Sequence, residues 1–386
     1  MHFIPYSRQS ISEEDIASVV EALRSDFLTQ GPRIDRFEAA VAELTGARHA
    51  IAVSNATAAL HIACLAIGLG PGDILWTVPN TFVASANCAR YCGATVDFVD
   101  IDAETRNISL VELEEKLERA SHRGNLPKII VPVDFAGLPC FLPEISALAR
   151  KFGVAVIEDA SHALGASIND KQIGSDWADI TVLSFHAVKI ITSAEGGMCL
   201  TNDDHLAATL RLLRTHGITR DPALMVNPSD GSFYYEQVML GYNYRITDIQ
   251  AALGHSQLSR LPERQIRREQ LSQRYDKLLA MHPVKLPARL PGYVSAHHLY
   301  IIEILDTSVE RAALFDYMRQ NSIGVNVHYI PVHLQPDYQK LGFARGDFLA
   351  SERYYDRAIT IPLFPEMSDA EQDYVVDVLV AGLQGI

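Results

Sequence analysis

A lysine placed where a buried strand gives way to a loop is the first residue here with evident chemical use. Residues 179–183, Asp-Ile-Thr-Val-Leu, are short, apolar and β-branched, which is the pattern of a buried strand. Ser184-Phe185-His186-Ala187-Val188-Lys189 follows at once. Open α/β sheets bind ligands beyond the C-terminal ends of their strands, and Lys189 falls there. Apolar surroundings penalise the ammonium form, which keeps the amine neutral and able to form a Schiff base. A surface lysine after a strand is the plainer reading, and the motif alone does not choose between them.

A second stretch narrows the choice. Val154-Ala155-Val156-Ile157-Glu158-Asp159 is another apolar run ending on a carboxylate, and its end faces the same crevice. An Asp opposite a lysine imine is what pyridoxal 5′-phosphate (PLP) requires. The carboxylate keeps the pyridine nitrogen protonated, and the ring becomes an electron sink. Capping a helix that begins at Ala160 is the competing role for Asp159.

Three stretches together resemble the signatures of the fold-type I, PLP-dependent sugar-nucleotide aminotransferases. They are Glu158-Asp159-Ala160-Ser161-His162-Ala163-Leu164-Gly165, the run from Ser184 to Lys189, and Gly241-Tyr242-Asn243-Tyr244-Arg245-Ile246-Thr247-Asp248-Ile249-Gln250-Ala251-Ala252-Leu253-Gly254. The similarity extends from Ile4-Pro5-Tyr6 to Ile361-Pro362. Within the family, Val327-His328-Tyr329-Ile330-Pro331-Val332-His333 and Arg214-Thr215-His216-Gly217-Ile218 look most like the C4 transaminase of UDP-4-keto-6-deoxy sugars in pseudaminic acid biosynthesis.

The resemblance implies an α/β fold with two domains. Residues 1–260 form an N-terminal arm and a large PLP-binding domain, with a mostly parallel seven-stranded sheet between helices. Residues 261–386 form a smaller α+β domain. It also implies roles: Lys189 carries PLP and moves protons, and Asp159 faces the ring nitrogen. Thr57, Ala58 and Ser184 hold the phosphate, Phe82 stacks on the ring, and His162 lies beside the 3′-oxygen. Asn243 and Arg245 come from the partner subunit, so a homodimer with shared sites is expected. L-Glutamate is the expected donor and ping-pong kinetics the expected pattern.

Composition agrees with an enzyme of this size. The chain has 386 residues, 48% of them hydrophobic, and can bury a large core. A formal net charge of −14 argues against nucleic acid or an anionic membrane as partner. Anionic ligands must then be held by helix N-termini and single cations. The five cysteines lie in apolar segments and read as reduced core residues of a cytoplasmic protein. Cys88 and Cys92 share a helix face, but nothing completes a zinc site, and no metal is expected. There is no apolar signal core and no membrane-length apolar run.

Along the chain, Ser12-Glu13-Glu14-Asp15 resembles a capping box, and Gly31-Pro32 separates two amphipathic helices. His49–Val53 reads as a strand feeding a helix through Ser54-Asn55-Ala56-Thr57, where free N–H groups bind phosphate or take an ordinary cap. Alternating strands and helices to residue 133 imply a doubly wound sheet. No P-loop or GxGxxG is present. Residues 214–237 read as a long functional loop. Thr247 reads as the cap of a helix from Asp248, and residues 299–304 and 325–329 as strands of the second domain. His186 is left without an assigned role, packing being one reading, and the His328/His333 pair is assigned substrate-loop contacts or packing rather than metal. The competing functions are a transaminase of a dTDP-linked or C3-keto sugar, a same-fold sugar dehydratase, which carries His in place of the lysine, and a cofactor-free binding protein.

Overall fold

The computed structural model describes residues 3–174 and 176–385; Met1 and Ile386, the outer bounds of the two expected domains, lie outside it. Its centre is a seven-stranded sheet of β1 (His49–Val53), β2 (Ile74–Thr77), β3 (Thr95–Phe98), β4 (Ile129–Val131), β5 (Ala155–Asp159), β6 (Ile180–Ser184) and β7 (Gly197–Thr201). The order across the sheet is β1-β7-β6-β5-β4-β2-β3. Pairings from β6 to β3 are parallel, and β7 alone runs antiparallel to both of its neighbours. These strands are near-continuous apolar runs because helices cover both faces. Ile129 and Val131 pack in one core cluster while Ile130 between them packs in another, as the two-residue strand period requires.

The helices start and stop where the sequence supplies the chemistry. α1 (Glu13–Arg24) opens on the expected capping box: Asp15 N–H donates to Ser12 Oγ (3.3 Å), and Ser12 N–H donates to Asp15 Oδ2 (2.9 Å). α2 (Pro32–Thr45) begins on proline and ends at Gly46, whose φ of +74° favours glycine. α3 (Ala56–Ala66) follows β1, and α4 (Ala84–Tyr91) follows β2. Thr247 caps the helix Asp248–Leu258 as expected, with Gln250 completing a second capping box.

A three-stranded antiparallel sheet, β8 (Val284–Lys285), β9 (Tyr300–Ile304) and β10 (Ala358–Ile361), lies in the C-terminal third. It shares a separate core cluster with Tyr275, Leu314 and Leu379 of three helices. Ile4, near the start of the chain, belongs to the same cluster and bridges Ile323.

Three expectations change. Residues 325–329 are not a strand but make a single bridge, Asn326 to Thr360. That bridge sits on the free edge of β10, and it goes no further because the chain turns toward the large sheet, where Val332 N–H donates to Pro79 C=O (2.8 Å). The segment 214–237 is largely irregular but holds a short ribbon, Ile218–Thr219 against Glu236–Gln237. Before it lies a helix the sequence reading passed over, Asp204–Arg214, capped by Asp203 and burying Ala207, Leu210 and Leu213. All five cysteines are unpaired and buried. Among the described residues no helix is long and apolar enough to cross a membrane.

Candidate active site

A cavity of about 690 Å³ opens at the C-terminal ends of the parallel strands. Thr57, Phe82, Asp159, His162, Ser184 and Lys189 all line it, brought there from four separate strand ends. Each is positioned by the turn that follows its strand, which is why residues distant in sequence converge.

Lys189 is half-buried in the cavity wall, and its amine makes no hydrogen bond among the described residues. Burial is the main cause of its acidity, with the Asp159 charge pulling the other way, and its pKa falls from 10.5 to about 8. Because the neutral amine is the nucleophile, the rate at which the apoprotein captures PLP should rise with pH and level off above about 8. Stopped-flow absorbance checks this; a rise continuing to the ordinary lysine range would show that the amine is not desolvated.

Asp159 is 5% exposed. Its Oδ2 accepts the Ser85 hydroxyl (2.6 Å), and its Oδ1 accepts the Ser161 N–H (3.2 Å). Both contacts fix the orientation of the carboxylate. Turns rather than a helix follow β5, so Asp159 is not a helix cap.

At the start of α3, the Asn55 side chain accepts the Ala58 N–H (2.8 Å). The Ala58 amide, expected to face phosphate, is therefore already engaged. The Ala56 and Thr57 amides have no partner among the described residues, and they sit where a helix dipole favours an anion. Gly197 packs against this turn. A Cβ there would stand 2.5 Å from Asn55 C and 2.6 Å from Ala56 N, so β7 can run this close only without a side chain.

His162 is buried, its Nε2 3.3 Å from the Tyr329 hydroxyl and its ring 4.4 Å from that of His298. Its Nδ1 is buried without a hydrogen-bond partner. Burial, and then the Lys189 and His328 charges, hold its pKa well below the usual imidazole range, so the ring is neutral. Phe82 lines the cavity while remaining 58% exposed. The Ser184 hydroxyl accepts only a long contact from His186 N–H (3.5 Å) and has capacity to spare.

Asn243 and Arg245 do not reach this cavity. Asn243 is exposed, and Arg245 lines a smaller hollow of about 230 Å³ with Gln30 and Arg214. Their turn is pinned beside the end of β1, where Tyr244 C=O accepts the Ser54 N–H (2.8 Å). His186 is exposed at 3.9 Å from Glu195. His328 and His333 are held by different partners, Thr360 Oγ1 at 2.7 Å and Glu352 Oε1 at 2.9 Å.

The cavity also has walls that local reading did not assign: Tyr6, Ser85, Asn326, His328 and Tyr329. The run around His328 carried a signal, since it was among the distinctive motifs, but its direction depends on long-range packing. The whole donor set suits PLP. It offers a free near-neutral amine, a fixed carboxylate, unengaged amides and hydroxyls for a phosphate, and a neutral imidazole with an unpartnered nitrogen.

The chain matches the model of the DegT/DnrJ/EryC1/StrS aminotransferase family over residues 9–380. It is 39% identical to the spore coat polysaccharide biosynthesis protein SpsC of Bacillus subtilis (strain 168), over 97% of this chain and 96% of that one. Its fold is similar to that of Helicobacter pylori PseC, an aminotransferase involved in the biosynthesis of pseudoaminic acid. The TM-score is 0.92, with 30% identity and full coverage, 100%, of both chains. It is also similar to the PLP-form of the putative sugar aminotransferase Spr1654 from Streptococcus pneumoniae, with a TM-score of 0.90, 30% identity and 99% coverage of each.

Proposed function

The chain belongs to the DegT/DnrJ/EryC1/StrS aminotransferase family, and from that premise we propose that it transfers an amino group from L-glutamate to C4 of a UDP-linked 4-keto-6-deoxy-N-acetyl hexose, in the making of pseudaminic acid or a related amino sugar. The observation that carries this reading is the near-neutral amine of Lys189 and the fixed carboxylate of Asp159 lining one cavity. Likeness to the H. pylori enzyme supports the choice of sugar.

PLP, when bound, supplies an electron sink for a deprotonated carbon and a carrier for the amine between two half-reactions. Lys189 would be its attachment point and, once free, would carry the proton from the donor carbon to the cofactor carbon, a task that suits a pKa near operating pH. Asp159 holds the proton of the ring nitrogen. Thr57, the Ala56 amide and Ser184 would hold the phosphate, in place of the Ala58 amide that Asn55 occupies, while His162 would donate to the ring oxygen and Phe82 would cover the ring. The large lobe, residues 1–260, then carries the chemistry, while residues 261–386 close over the sugar.

The protein acts as a homodimer in the cytoplasm, with Asn243 and Arg245 completing the partner's site. The need is electrostatic: phosphate, diphosphate and carboxylate all enter a cavity whose described lining includes one lysine and no arginine. Mixing Lys189→Ala with Arg245→Ala should therefore restore activity. Each mixed dimer regains one intact site, roughly a quarter of all sites in an equal mixture. Mixtures as inactive as their components would show that each chain builds its own site.

The substrate is tested by mass spectrometry of sugar nucleotides incubated with PLP and glutamate. The expected product is the UDP-linked 4-amino sugar. Amination only of dTDP sugars, or at C3, would overturn the substrate, and loss of water without amination would favour a dehydratase.

A further inference from the structure

Beneath Asp159 lies a group of buried polar side chains that the chemistry above does not use. Glu158, Asp134 and Thr181 are all 0% exposed, on or beside three adjacent strands. Glu158 is on β5, and Thr181 is its register partner on β6. Asp134 follows β4, and its N–H donates to Asp159 C=O (3.1 Å).

The hydrogen bonds of Thr181 fix where a proton must be. Its hydroxyl oxygen stands 2.5 Å from Glu158 Oε2 and 2.5 Å from the Gly174 carbonyl. A hydroxyl has one proton to give, and a carbonyl only accepts. Thr181 therefore donates to Gly174, and Glu158 donates to Thr181. An ionised Glu158 would face a bare oxygen at that distance. The other oxygen of Glu158, Oε1, and Oδ2 of Asp134 are both buried and receive no cation or amide donor, so the two carboxyls, which lie within hydrogen-bond reach of each other, can share that space only if one of them is protonated.

We propose that Glu158 is a positioning residue that keeps its proton while the site works and, through that proton, clasps β5 to β6. Asp159 is the next residue on β5, and β6 leads into the loop bearing Lys189. The clasp thus sets the separation of the two groups that act on the cofactor. Its consequence for turnover rests on the site reading above; the protonation itself does not.

The charged and titratable groups facing Glu158 are Asp134, Asp159 and Cys140. None is a cation. Burial and then the Asp134 charge push the Glu158 carboxyl well above the usual range. Burial lifts Asp134 to about 6, with its Oδ1 accepting the Cys140 N–H (2.8 Å). At pH 8 Glu158 is thus the acid of the pair.

Infrared spectra of the PLP-loaded protein at pH 8 should contain the carbonyl stretch of an un-ionised carboxylic acid. That band should vanish in Glu158→Gln and survive in Asp134→Asn. Glu158→Gln, whose amide nitrogen donates to Thr181 as the acid does, should keep the cofactor's absorption spectrum, its pH midpoint and near-normal kcat. Thr181→Val removes the acceptor on β6, leaving only Asp134 on the other side, and should lower kcat roughly tenfold with KM little changed. Absence of the band from the unmodified protein would overturn the proposal. So would a downward shift of the cofactor's pH midpoint in Glu158→Gln, which is the effect of removing a nearby negative charge. Neither spectroscopic readout involves a sugar, so a wrong substrate cannot mimic either failure.

Discussion

Lys189→Ala is expected to lose turnover by at least roughly 10⁴-fold, since in the proposed mechanism one side chain supplies both the attachment point and the proton carrier. The fold should survive. Lys189 is half-buried in a cavity wall rather than packed in a core, and its amine donates no hydrogen bond that other groups rely on. Removing a desolvated amine also relieves an unfavourable burial. The variant should still hold PLP noncovalently, through the α3 amides, Ser184 and Asp159. Borohydride should fix the cofactor to Lys189 in the unmodified protein and leave the variant unlabelled. Turnover within about a hundredfold of normal would remove Lys189 from the chemistry.

Asp159→Asn should be the next most damaging change, lowering kcat by roughly 10²–10³-fold, as for loss of a preorganised electrostatic partner. Asn keeps the shape: its Oδ1 can still accept the Ser161 N–H, and its Nδ2 can donate to the Ser85 hydroxyl oxygen, the two groups that now hold the carboxylate at 3.2 and 2.6 Å. What disappears is the charge that keeps the ring nitrogen protonated. The loss should therefore fall on kcat rather than on folding, and thermal unfolding should move little. The decisive measurement is single-turnover conversion of glutamate with the cofactor spectrum recorded alongside. A normal rate would mean that the cofactor does not lean on this carboxylate.

The residues readable from sequence alone were those whose position follows from one local rule. Asp159 and Ser184 each end an apolar strand and Lys189 lies in the loop after the second, and strand ends in a parallel sheet converge on the ligand side. Thr57 was legible as a helix start after a strand, but the engagement of the Ala58 amide by Asn55 was not. A cap is chosen between neighbouring side chains by backbone angles that the sequence leaves open. Ser85 was not legible as the group holding Asp159, because their contact joins residues 74 apart. Residues 325–329 read as a strand because their local pattern suits one, but only Asn326 bridges β10 before the chain turns to Pro79 beside the large sheet, a tertiary contact the local pattern does not show. The helix Asp204–Arg214 is a different case. Asp203 and the spacing of Ala207, Leu210 and Leu213 carry a sufficient signal, and the reading passed over it.

Ile4 and Tyr6 tie the beginning of the chain to its last third, Ile4 through Ile323 and Tyr6 by sharing the cavity wall with Asn326, His328 and Tyr329. During synthesis on the ribosome these first residues emerge long before their companions. The central layer has all its strands in hand while the pocket still lacks one wall, because domains fold as the chain emerges from its N-terminal side. Vitamin loading is thus a late event in the life of a nascent chain. A fusion tag that disturbs the first few residues should reduce cofactor occupancy before it reduces solubility.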